Sequence, residues 1–218
     1  MHFVSIFGKI YDISCQINHD QIYKLTVSLL NRLSNDIIQL QNISHIACWL
    51  YMNSPLYFSQ SIIKYLLQSS VGEVKYHNLF IHDLFAQLFQ SLSYKNTHNK
   101  ELDSFFELRP LDNIIFDVKQ NIFNECNKYK EEIENKDDKN NIIIGSIMGI
   151  VSDNNILLDY ALKNIDTHPR IILKSLIHRK YIDNKFVISK ELIHNINNLL
   201  SDNIKYKYEA EYILEHII

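Results

Sequence analysis

The chain has 218 residues, 46% of them apolar, and a formal net charge of −3. That supplies enough apolar material for the buried core of one domain or two small ones, and too little net charge for a general attraction to nucleic acid or anionic membrane. Only four glycines and three prolines interrupt it, and apolar residues recur three and four apart far more often than they alternate, so helices are the expected elements.

In chain order, a first helix fits residues 4–17, with Ile6, Ile10, Ile13 and Ile17 on one side. Asp20 is placed to cap a second, whose stripe is Ile22, Leu25, Leu29, Leu30 and Leu33. Residues 46–52 are apolar nearly all round, the pattern of a helix in the middle of a bundle. Ser54 followed by Pro55 is the clearest helix start in the chain, because serine can satisfy free amides and proline at the first helical position sacrifices none. It opens a helix over 56–67; Val71 and Gly72 break the chain, and another helix follows over 77–92 with Leu79, Leu84, Leu88 and Leu92.

The polar stretch 93–100 has no apolar periodicity and divides the chain into two helical domains, 1–95 and 110–218. A helix starts near Asp112 and runs into residues 127–141, a segment charged on every face that reads as a solvated helix end and loop. Residues 142–151 are again apolar almost all round, and Gly145, Ser146 and Gly149 allow close packing there. Helices follow from Asn154 or Asn155 to Asn164, from about Pro169 to near Lys180, over 190–200 behind a Ser189 cap, and over 204–217.

Chemistry is sparse in this pattern. Cys15, Cys48 and Cys126 lie far apart inside apolar helical stretches and read as small buried hydrophobes of a reducing compartment. His77 and His82 are five residues apart, which sets them about 140° apart around a helix and suits no shared ion, so neither a metal nor another cofactor is expected. His45 reads as an interior or interface histidine. No glycine-rich phosphate loop, H-E-x-x-H pair or G-x-S-x-G elbow occurs, and no catalytic residues are assigned. The N-terminal residues do not form a cleavable leader and no run reaches the ~20 apolar residues of a membrane span. The expectation is a cytoplasmic or nuclear protein, or one exported to a host cell by another route.

Arg170, Lys174 and His178 are spaced by four, with Arg179 and Lys180 beside them, and make a basic ridge along one helix. A solvent-facing edge is the simpler reading of that ridge, and contact with an acidic partner or with phosphates is the functional one. Few aromatics interleave with these cations, so nucleic acid is not the expected partner.

Residues 21–53 carry the one family resemblance. QIYKLTVSLLNRLS, matching at Leu25, Val27, Leu30 and Arg32, and Ala47, Cys48 and Leu50 in the next segment, resemble the second and third helices of the cyclin box. The resemblance implies an all-α helical bundle of two consecutive cyclin-box-like five-helix units, each wrapping a central helix, the second suggested by helix count alone. It also implies a regulatory protein partner, with a kinase the partner class of that family. Cyclins pair with the kinase through a lysine closing the third helix and a glutamate on the fifth. The corresponding positions here are Asn53 and Phe85, with Asp83 the nearest carboxylate, and these three mark the expected partner-binding face. The closing segment KYKYEAEYILEHII is also loosely similar to the export signals of bacterial effectors, which gives an alternative: a pathogen or viral helical protein that binds a host factor.

Overall fold

The computed structural model describes residues 19–35, 47, 50–51, 54–68, 77–93, 111–132, 138–202 and 204–217. These residues form an all-α bundle with no strand among them. The helices are α1 (His19–Asn35), α2 (Pro55–Gln68), α3 (His77–Ser93), α4 (Leu111–Glu132), α5 (Asp138–Val151), α6 (Asn154–Asn164), α7 (Pro169–Ile182), α8 (Lys190–Asp202) and α9 (Lys207–His216), the last preceded by a 3-10 turn, Ile204–Tyr206. The first expected helix, 4–17, and the expected break at Val71 and Gly72 lie outside the described residues.

Local chemistry sets most of the boundaries. Pro55 starts α2 and Pro169 starts α7, each at a first-turn position where a missing N–H costs no helical bond. Ser189 Oγ accepts a hydrogen bond from the Leu192 amide at 3.2 Å, the cap that opens α8. Asp20 does not cap α1 from outside, because the helix begins at His19 and includes it. The inward face of α1 carries Ile22, Thr26, Leu29, Leu30 and Leu33, while Leu25 is 38% exposed. The 3.6-residue period puts position 26, and not 25, in line with 22, 29 and 33.

Ala47, Leu50 and Tyr51, from the apolar segment ahead of α2, are buried. The Ser54 amide donates to Leu50 O at 3.1 Å and links that segment to α2. α5 is the most enclosed of the later helices: Ile144, Ser146, Ile147 and Met148 are fully buried, with Ile143, Ile150 and Val151 nearly so. It touches α2, α3, α4 and α7, and its contact with α7 is the most extensive between any two described elements.

The stretch read as solvated is exposed at Asn127, Lys128, Glu131 and Lys139, but not throughout. α4 continues through Glu132, and Lys130 is buried with its ammonium hydrogen-bonded to Asn164 Oδ1 at 2.8 Å and lying over the Tyr160 ring. Asn141 is buried as well. A lysine's four-carbon stem is apolar enough to pack when its head finds partners, and α6 supplies them.

Two apolar clusters fill the interior. One joins Ile22, Leu30, Ala47, Leu50, Phe58, Phe85, Ile122, Ile147 and neighbours from α1 to α5, together with Ile171 of α7. The other joins Leu157, Ile172, Leu176, Phe186, Leu192, Ala210 and Ile213 with their neighbours at the C-terminal end. Of the polar stretch 93–100 chosen as a boundary between 1–95 and 110–218, all but Ser93 lies outside the described residues, and the first cluster runs from α3 into α4 and α5. The clusters part along α7, which gives Ile171 to one and Ile172, Leu173 and Leu176 to the other.

Candidate functional site

α5 and α7 meet at backbone contact because α5 lacks side chains where they cross. A Cβ at Gly145 would lie 2.5 Å from Ile171 O and 2.9 Å from Lys174 Cβ, and one at Gly149 would collide with Ser175 O and with His178 Cβ. Two glycines one turn apart thus seat α5 on two successive turns of α7, as sequence alone had suggested for this segment.

That approach carries His178 to Ser146. His178 Nε2 lies 2.9 Å from Ser146 Oγ, and His178 Nδ1 lies 2.6 Å from His82 Nε2 on α3. The proton positions follow from what each atom has to give. Ser146 Oγ is 2.7 Å from the carbonyl oxygen of Ile142, which holds no proton, so the serine hydroxyl donates there. The serine oxygen then accepts from the Nε2–H of His178. Burial, followed by the nearby His82 and Lys174, pushes the His178 pKa down to about 3, so its ring is neutral and its Nδ1 is a bare lone pair. That lone pair accepts from the Nε2–H of His82. Burial lowers the His82 pKa too, against a smaller opposing pull from Asp83. His82 Nδ1 is left as a buried acceptor with no hydrogen-bond partner among the described residues.

The chain of bonds therefore runs one way, His82 to His178 to Ser146 to Ile142 O. A serine nucleophile needs the lone pair of its histidine turned toward it; here an N–H faces Ser146, whose side chain is fully buried. The arrangement fastens α3, α5 and α7 together. Sequence reading marked Ser146 for close packing and named His82 and His178 separately, but nothing in a single sequence links residues 96 apart across three helices.

The basic ridge does not form a solvent-facing edge. Arg170 and Lys174 both pair with Glu209 of α9, at 2.5 and 3.2 Å, and the Glu209 side chain is only 8% exposed. Arg179 Nη1 donates to Ser152 O at 2.6 Å, satisfying a carbonyl just past the C-terminal end of α5. His178 is buried and neutral. The ridge was read as outward because cations spaced by four on a helix usually face water; a carboxylate and a carbonyl arriving from other helices turn it inward. It offers phosphates no row of unpaired charges.

Of the residues expected at a partner face, Asn53 lies outside the described residues and Phe85 is fully buried in the first apolar cluster. Phe85 is one turn from Ile81 and Leu88 on the inward side of α3, so it packs and does not project. Asp83 is exposed. Beside it in sequence, His82 is covered by Tyr181 of α7, ring centroids 4.5 Å apart. Tyr181 is 64% exposed and Ile182 47% exposed, so a carboxylate and two large apolar side chains are held outward around the histidine chain. A separate shallow hollow between α4 and the start of α6 is lined by Phe116, Phe123, Val151 and Ile156, with Lys119 and Asp153 at its rim.

Cys126 is buried and its thiol pKa is raised by that burial, which keeps it protonated. Among the described residues no three His, Cys, Asp or Glu side chains converge as a metal site, and no helix is long and apolar enough to cross a membrane. Comparisons with protein-family models, with curated proteins and with solved structures find no match to this chain.

Proposed function

We propose that this chain is a non-catalytic, cyclin-like binding module that acts by holding a protein partner, with a kinase the first class to test. The observation that carries the reading is the outward group at α3 and α7: exposed Asp83 next in sequence to His82, exposed Tyr181 packed on the His82 ring, and exposed Ile182 following it, with His82 itself tied into a buried chain of hydrogen bonds. Large aromatic side chains fixed on rigid elements supply binding area at small entropic cost, and an adjacent carboxylate sets orientation and partner choice. The burial of Ala47 and Leu50 supports the resemblance, since the third helix of a cyclin box is its wrapped centre. The face differs from the family's, because Asp83 alone supplies the charge and Tyr181 takes the place that Phe85 was expected to fill. A native pull-down tests the partner class: a kinase recovered with the chain, and lost with Asp83→Lys, is the expected result, and the absence of any kinase contradicts it.

A second reading, a helical protein that binds a host factor in an interhelical groove, is favoured by the hollow at Phe116 and Ile156, both exposed apolar side chains. Partner loss on Phe116→Ala, with Asp83→Lys silent, would favour this reading over the first.

A further inference from the structure

The His82–His178–Ser146 chain has one open end, His82 Nδ1, on a ring that packs against the exposed Tyr181. We propose that His82 is the trigger of an acid-sensitive latch: taking up a proton at Nδ1 releases α3 from Tyr181 and so reshapes the Asp83–Tyr181 face. This rests on the reading of that face as the docking surface.

The two histidines are not equivalent acceptors. A proton arriving at His178 Nδ1 would set two N–H groups against each other at a 2.6 Å separation and break the bond to His82. A proton arriving at His82 Nδ1 leaves every existing bond intact, because His82 still donates from Nε2. It creates, however, a buried N–H with no acceptor among the described residues. An unsatisfied, charged donor is costly in the interior, and water can reach it only if the cover moves. Tyr181, at a 4.5 Å centroid separation and mostly solvent-exposed, is that cover. The surrounding charges grade the order of events. Asp83, on α3, favours the cation of His82, whereas Lys174, one turn before His178 on α7, opposes the cation of His178. α5 contributes only the Ser146 hydroxyl to the chain, and from α4 the Lys119 ammonium sits over the Phe89 ring, about two turns along α3 from His82. The residues of the proposed docking face thus adjoin the site that protonates first, Asp83 as its neighbour in sequence and Tyr181 by ring contact.

The test is an NMR titration of the full chain from pH 7.5 to 4.5, following imidazole nitrogens and backbone amides. At neutral pH both rings should be Nε2–H tautomers; on acidification His82 should protonate first, and the amides of Tyr181, Asp83 and their neighbours should shift with the same midpoint while α8 and α9 stay still. In His82→Gln, whose amide can still donate to His178 but cannot titrate, that shared transition should vanish. An Nδ1–H tautomer at His82, amides that do not move with it before global unfolding, or a transition that persists in His82→Gln would each overturn the latch. If His82→Gln does not fold, the wild-type tautomers and order of protonation still decide. None of these readouts needs a partner, so failure of the latch and failure of the docking face register separately: a Tyr181→Ala chain that binds its partner normally at pH 7.5 removes the face and leaves the latch standing.

Discussion

Ser146 is the acceptor on which the buried histidine chain ends, and Ser146→Ala leaves the His178 Nε2–H facing nothing. The expected loss is about 1–3 kcal/mol of unfolding free energy by urea denaturation; a loss near zero would mean that the hydroxyl is dispensable and the chain runs the other way. The histidines also set a pH dependence. Both fold into sites that lower their pKa, so between the ordinary histidine value of about 6.5 and the His178 value of about 3 the unfolded chain binds more protons than the folded one. Their contribution is complete above that window and is lost as pH falls through it. Denaturation at stepped pH should show stability declining below pH 6.5, with a shallower decline in His82→Gln. At Glu209, substitution by alanine takes a shared carboxylate away from two cations that are only 18% and 17% exposed. A cost of about 3 kcal/mol is expected, the lower end for breaking a buried pair, with partial recovery in Glu209→Gln. Residue types at these positions were visible in sequence. Their pairings were not, since 39 residues separate Arg170 from Glu209 and a single chain gives no sign of which helices meet.

Among elements, the crossing of α5 and α7 depends most plainly on its composition. Gly149→Ala would raise helix propensity by about 1 kcal/mol on an exposed face, but here the new methyl meets the Ser175 carbonyl, an atom fixed in a helix backbone. The net effect should be a loss of about 1–3 kcal/mol, and a stabilised variant would show that α5 and α7 do not touch. Close packing at Gly145 and Gly149 was legible because two glycines one turn apart in an otherwise apolar helix have few other uses. Helix starts at Pro55, Pro169 and Lys190 were legible for the same kind of reason, each having a local chemical cause. The last turns of α4 are exposed as expected at Asn127, Lys128 and Glu131 and were misread at Lys130. Charge density there resembled a solvated tail, and only α6, folded against it, provides the Asn164 and Tyr160 contacts that let Lys130 be buried.

At the scale of the molecule, the sequence pattern sufficed for an all-α bundle, because apolar periodicity reports helices whatever their arrangement. It did not locate the seam between the apolar clusters, which runs along α7 where one helix gives successive residues to two cores. Of the proposed docking face, Asp83 was marked through the cyclin resemblance and Tyr181 was not, while Phe85 was expected outward and is buried, because spacing alone did not tell the inward side of α3 from the outward one. The central claim is that Asp83 and Tyr181 grip a partner without supporting the fold. The most direct measurement compares partner affinity and melting temperature for the wild-type chain and the Asp83→Lys/Tyr181→Ala double variant. Binding weakened by at least about tenfold, as loss of an aromatic anchor and a charge commonly causes, at an unchanged melting temperature is the expected result; undiminished binding by the double variant would contradict it.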